Sequence, residues 1–261
     1  MNTLTATAVS IGTLIKHWRE RRRMSQLYLA SEAEISSRHL SFIETGRAAP
    51  SRAMVLRLAE YLDVPLRERN QLLTAAGFAP VFQERSLGDQ SMQPARLAVE
   101  QVLKGHEPYP ALAIDRHWNL VSANGAVAAL IADADPSLLE PPVNVLRLSL
   151  HPRGLASKIV NLGQWREHLL ERLERQINLT ADPQLIALQD ELKRYPGGSG
   201  RDAAVESSIA IPFVLSTAAG QLSFISTTLM FGTPIDITLS ELAIELFFPA
   251  DETTAAAMMM R

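Results

Sequence analysis

The 261-residue chain has no cysteine. That excludes disulfides, thiol nucleophiles and thiolate metal sites, and it fits a reducing compartment. No apolar run reaches the roughly 18 residues that a membrane-spanning helix needs. The opening MNTLTATAVS also lacks the charged segment and long apolar run of a secretory leader. A soluble, cytoplasmic chain without membrane association is therefore expected. Internal repeats and long low-complexity tracts are absent, the Ala/Met-rich tail being short. So are a GxSxG nucleophile turn, a phosphate-cradling GxxxxGK[ST], an HExxH pair and a convincing pair of carboxylates. Glycines 197, 198 and 200 follow a helical pattern rather than a strand, and read as a loop. No catalysis, cofactor or metal is expected.

The chain is 47% hydrophobic and 20% charged, enough apolar surface to build a core. A net charge of −3 argues against binding nucleic acid until the chain is divided at Pro80. Residues 1–80 carry 11 Lys/Arg against 7 Asp/Glu, a net +4, and the remainder carries 14 against 21, a net −7. Counterion release depends on local cations, so a basic head on an acidic body points to the head as the part that meets phosphate.

The head reads as five short helices. Ile11, Leu14, Ile15 and Trp18 recur at helical spacing over residues 11–22. Ser25 suits the N-cap of a helix over 26–33, and Ser36 that of one over about 37–45, which Gly46 ends. A fourth follows over about 52–62, and Pro65 is placed to open a fifth that ends before Gly77. Residues 78–94 lack periodicity and read as a linker, leaving 95–261 as the second domain. There, 111–123 alternates apolar and polar residues about Asp115-Arg116-His117, as a hairpin does. Helical spacing fills 124–195, most clearly in Trp165, Leu169, Leu170, Leu173 and Ile177. Residues 205–215 and 222–231 read as strands turning at 217–220, the alternation 242–248 as a third, and Asp251 as the cap of a last helix. The expected order is β-β-α-α-β-β-β.

In a helix-turn-helix, one helix braces its neighbour, whose free face enters the major groove. Ala30 supplies the small contact residue; Leu29, Ile35, Leu40 and Ile43 supply the apolar ones. Ser37, Arg38 and Ser41 remain on the free face, short or cationic groups suited to base edges and phosphates. Ser25-Gln26, Leu29-Ala30, Ile35-Ser36, Glu44-Thr45-Gly46-Arg47 and Pro50-Ser51 together resemble the lambda-repressor-like helix-turn-helix class, including the xenobiotic-response-element regulators. The resemblance covers 11 to about 76 and implies a double-stranded DNA operator as partner. It implies a DNA contact for Gln26, a reading surface of Ser36, Ser37, Arg38 and Ser41, and an Arg19–Glu44 ion pair. Arg47 and Arg52 flank a nearby loop and fit phosphate contacts or plain solvation. Arg21 to Arg23 fit a solvated helix end or phosphate contacts. Glu34 stands where the class often has glycine, so a non-glycine residue must tolerate that turn.

The whole chain resembles the MmyB-like regulators, on HLSFIETGRAAPSRAMVLRLAEYLDVPLRERNQLLTAAGFAP (39–80), EPYPALAIDRHWNLVSAN (107–124), NVLRLSLHP (144–152), NLGQW (161–165) and FGTPIDITLSELAIELFFPAD (231–251). The resemblance implies an all-α helix-turn-helix N-terminal domain followed by an α+β PAS-like C-terminal domain that holds a small, apolar or amphiphilic ligand such as a fatty acid. Candidate ligand contacts are Trp118, Asn124, Arg147, His151, Trp165 and His168. Trp118 and Trp165 also fit the core, and Asn124 a helix cap. Arg147 between two leucines suggests a buried guanidinium in need of an anion. A homodimer on two half-sites is expected. The alternative is a second domain that binds a protein partner or dimerises without a small molecule.

Overall fold

The structure, a computed structural model, describes residues 9–197, 210–218 and 220–260. The chain forms two compact units, one running through Glu84 and taking in Ile235–Ile237, the other comprising the rest.

In the first unit lie α1 (Ile11–Arg21), α2 (Gln26–Glu32), α3 (Ser37–Glu44), α4 (Arg52–Tyr61) and α5 (Leu66–Ala75). Four of the five begin the same way. Ser10, Ser25, Ser36 and Ser51 sit in extended backbone, and each hydroxyl accepts from the amide three residues on, so that one orphan donor per helix is satisfied. Pro65 is one place earlier than expected: it takes the N-cap position of α5 and makes no side-chain cap bond. Ile15, Trp18, Leu29, Leu40, Ile43 and Leu58 are in the shared core. Ala30 is buried as the helix contact requires. Gly12 matters as well, because a Cβ there would lie 2.4 Å from the Ile43 carbonyl oxygen on α3.

The second unit opens with a helix that the expected order lacks, α6 (Gln93–Gly105), whose first turn holds Pro94. The hairpin follows as β1 (Ala111–Ile114) and β2 (Leu120–Ala123). Its turn is held by the Asp115 carboxylate, which accepts from the His117 and Asn119 amides at 2.8 Å, and it puts Trp118 in the left-handed region at φ 65°. The middle resolves into α7 (Gly125–Ile131), α8 (Val145–Leu150), α9 (Leu162–Thr180) and α10 (Pro183–Lys193). Then come β3 (Phe213–Thr217), β4 (Gly220–Met230), α11 (Ile237–Ser240), β5 (Ala243–Pro249) and α12 (Glu252–Met259), which Asp251 caps. Of the expected strand 205–215, positions 205–209 lie outside the described residues, as do 198–200 of the expected glycine loop.

The five strands form one antiparallel sheet in the order β2-β1-β5-β4-β3, the α+β PAS-like arrangement. Both faces carry apolar contacts. On one, Val99 and Leu103 of α6 pack over Ala111, Ala113 and Ile244. On the other, the buried stripe of α9 (Trp165, Leu169, Leu173) joins Phe213, Leu222 and Phe224 in the main core.

Candidate functional sites: the recognition helix and an apolar cavity

The free face of α3 is set by what its other face is tied to. Arg19 on α1 donates Nε to Glu44 Oε1 at 2.6 Å and Nη2 to Oε2 at 2.9 Å, and its Nη1 reaches the Met24 carbonyl at 2.8 Å. Arg19 is held above the ordinary guanidinium range chiefly by the hydrogen bond to Glu44. Gln26 at the start of α2 donates its amide to the same carboxylate at 2.7 Å, so one buried acid joins three helices. The ion pair that the resemblance implies is formed, and Gln26 is part of it.

Outward, Ser36 and Arg38 are exposed and Ser37 and Ser41 half-buried along one side of α3. The Ser36 hydroxyl already accepts from the His39 amide, leaving its O–H as a donor. Arg38 and Arg47 both lie over the Phe42 ring, at 5.3 and 6.0 Å, which holds two cations beside the reading face. Arg47 and Arg52 are exposed. Arg22, by contrast, is committed to structure: Nε and Nη2 donate to the carbonyls of Leu62 and Asp63 beyond α4. Glu34 takes the turn at φ 54°, the glycine-like geometry expected of it.

In the second unit, helices and sheet line a partly open cavity of about 90 Å³. Trp118, Trp165, Leu169, Phe213, Phe224 and Phe247 give its walls their apolar character. Among the described lining residues Arg172 is the one cation and Glu245 the one anion. They pair with each other, Arg172 Nη2 to Glu245 Oε1 at 2.6 Å and Nη1 to Oε2 at 3.0 Å. Thr228, opposite Glu245 on β4, bonds both at 2.9 Å, and the Arg172 guanidinium lies 4.9 Å from the centre of the Trp118 ring. The indole N–H groups are likewise satisfied, Trp118 on Gln176 and Trp165 on Ser149.

The MmyB-like transcription regulator ligand binding domain family matches residues 95–259, and a helix-turn-helix domain family matches residues 10–72. The chain belongs to the MmyB-like transcription regulators. It is thus a DNA-binding transcriptional regulator with a C-terminal ligand-binding domain. No curated protein matches the chain. Among the described residues, no helix is long and apolar enough to cross a membrane.

Of the six candidate ligand contacts, two, Trp118 and Trp165, line the cavity. Asn124 stands at the N-cap of α7 without capping it; its buried amide instead accepts from Ala111 N and donates to the carbonyls of Leu103 and Tyr109. The premise for Arg147 needs correction. Leu146 and Leu148 face the cavity, but the Arg147 side chain is 43% exposed and pairs in a bidentate fashion with Glu191 at 2.8 Å. His151 packs edge-on to Tyr195, and His168 stacks on Trp165 from outside the cavity. Burial, then the nearby Arg172 and Arg175, hold His168 below its ordinary range.

The residues that sequence reasoning missed are Arg172 and Glu245. Arg172 left a signal, since it falls seven residues after Trp165 and three after Leu169, on the buried stripe of α9. Glu245 left a misleading one. Between Ile244 and Leu246 it reads as the solvent side of a strand, but over residues 243–247 both faces of β5 are packed.

Proposed function

We propose that this regulator binds an inverted-repeat operator as a homodimer in the cytoplasm, and that a small, mostly apolar ligand in the C-terminal cavity modulates it. The cavity carries this reading. At about 10–15 Å³ per water-sized sphere, its volume corresponds to about six to nine such spheres, the scale of a medium-length acyl chain. Water is held poorly by walls of this kind, whereas an acyl chain gains about 25 cal/mol for each Å² it buries. A fatty-acid tail fits that description.

In the first unit, Ser36, Ser37, Arg38 and Ser41 form the proposed reading surface, Gln26 a proposed contact to the DNA backbone or an outer base, and Arg47 and Arg52 the proposed phosphate contacts. A single head buries too little DNA for tight binding, and two half-sites supply both affinity and specificity. The ligand acts by preferring one of two states with different DNA affinity, to the extent of its differential binding.

The test is native mass spectrometry of the purified protein with extraction of bound small molecules, repeated on Leu130→Trp, which places a ring in the cavity wall. A copurified amphiphile that is lost in the variant, with DNA binding retained, supports the reading. A stable protein that neither carries nor takes up any amphiphile overturns the ligand arm. The second reading, a C-terminal domain that dimerises without a small molecule, has one observation in its favour: Ile225 and Phe248, cross-strand partners on the outer sheet face, are 38% and 42% exposed.

A further inference from the structure

We propose that the cavity selects ligands whose head group is uncharged when bound: long-chain alcohols, esters, or carboxylic acids that enter with their proton. This rests on the ligand reading above and adds the chemistry of the head.

The argument is one of charge balance. The cavity has a single charged end, where Arg172 on α9 meets Glu245 on β5; the other polar lining side chain, Ser149, accepts from the Trp165 indole N–H. Arg172 already spends two N–H groups on the two Glu245 oxygens and shares a third contact with the Thr228 hydroxyl. The Glu245 side chain is 5% exposed and that of Arg172 18%, so neither is free to seek another partner in water. A carboxylate ligand can still reach the Nε–H and the second Nη1–H of Arg172, but the cation is already neutralised by Glu245, so the ligand's charge has no counter-charge of its own. That leaves a second, unpaired negative charge buried next to the first, the arrangement that low-polarity surroundings penalise most. A neutral head has no such cost. A hydroxyl, an ester carbonyl or a protonated acid can hydrogen-bond at this polar end while the ion pair stays intact. When an acid is the ligand, one proton is therefore taken from solvent per molecule bound.

The groups facing this end from the packed elements are few. From β4 comes the Thr228 hydroxyl, and from the β1–β2 turn the Trp118 ring. From α9, one turn before Arg172, comes His168, whose charged form burial, Arg172 and Arg175 disfavour, with Glu171 and Glu245 opposing them. His168 is thus neutral above pH 7, and a pH dependence seen there belongs to the ligand.

The probes are 1-octanol and octanoic acid, titrated calorimetrically into the full-length protein at pH 7, 8 and 9 in two buffers of different ionisation enthalpy. Expected are an octanol affinity that does not change with pH and an octanoic acid affinity that falls about tenfold per unit, since its carboxyl ionises near pH 4 to 5. The acid titration should also report uptake of about one proton. In Glu245→Gln, Arg172 keeps a hydrogen-bond partner but loses its counter-charge. Octanoate should then bind the variant more tightly than octanol does, with a flat pH profile. Tight octanoate binding to the unaltered protein, independent of pH and without proton uptake, overturns the inference and leaves the ligand reading standing. Failure of both probes, in a protein whose DNA binding is intact, overturns the ligand reading and the inference with it.

Discussion

Arg147 shows how a side chain can occupy an apolar stretch of sequence and yet not be buried. Its neighbours face the cavity, and the helical turn of α8 carries the guanidinium outward to Glu191, which also accepts from the Tyr195 hydroxyl. Arg147→Ala should cost under about 1 kcal/mol in urea unfolding, as exposed ion pairs do, and should leave amphiphile binding unchanged. A larger loss of either would return Arg147 to the site. Arg172 is the contrasting case. Removing one member of a buried pair leaves the other charge uncompensated, so Arg172→Ala should destabilise the second unit by about 3 kcal/mol or more, read by the same unfolding titration. Immediate neighbours mislead for both, Arg147 lying between two leucines and Arg172 between Glu171 and Leu173, and only the helical period of α9 separates them in sequence.

At the scale of elements, α1 packs tightly over the end of α3 at Gly12. The Cβ of Gly12→Ala would meet backbone oxygens of Ile43 and Glu44 at 2.4 and 2.7 Å, and neither can move without shifting α3. The variant should lose about 1–3 kcal/mol of stability, the usual range for overpacking, and bind operator DNA more weakly even at temperatures where it is folded. Normal affinity in the folded variant would mean that α3 absorbs the shift without consequence.

The helices of this unit were legible because serine caps and a 3.6-residue period are local signals, and each expected end falls close to the observed one. Gly12 was not, because its role depends on a residue 31 positions away on another helix. In the second unit the hairpin, the long helix and the last strand were legible for the same local reasons. Helix α6 was missed because Pro94 reads as linker punctuation, although proline is at home in a first turn. The polar end of the cavity was missed because strand alternation distinguishes two faces but not whether both are covered.

For the whole molecule, charge decides two outcomes. Arg47→Gln should reduce the steepness of log affinity against log salt for DNA by about 0.9, if Arg47 meets one phosphate. Arg153→Gln removes the same charge from a side chain 64% exposed in the acidic second unit and should leave the slope unchanged. Equal effects would mean that net charge, rather than the local patch, governs binding.

Acid should act on the second unit in two stages. Burial keeps His168 neutral in the fold, so its unfolded form gains a proton first and stability begins to fall as pH drops through about 6.5. Glu191, lowered mainly by its hydrogen bond to Arg147, contributes stability that is complete above about pH 4.5 and is lost below it. Asp182 behaves alike below about 3.8: burial pushes it up, but the Gln184 amide, His117 and Arg116 outweigh that and hold it low. Urea midpoints between pH 8 and pH 3 should show a shallow decline, then a steep one. A midpoint that rises on acidification would contradict both stages.

The division of labour along α3 reaches beyond binding itself. Its inner side, fixed by Leu40, Ile43 and Glu44, is fully engaged in packing, whereas Ser37, Arg38 and Ser41 are at most half-buried. Substitutions at those three positions are therefore cheap for folding. In an evolving lineage, descendants of this chain can drift to new target sequences through a few single-residue steps, none passing through an unfolded ancestor.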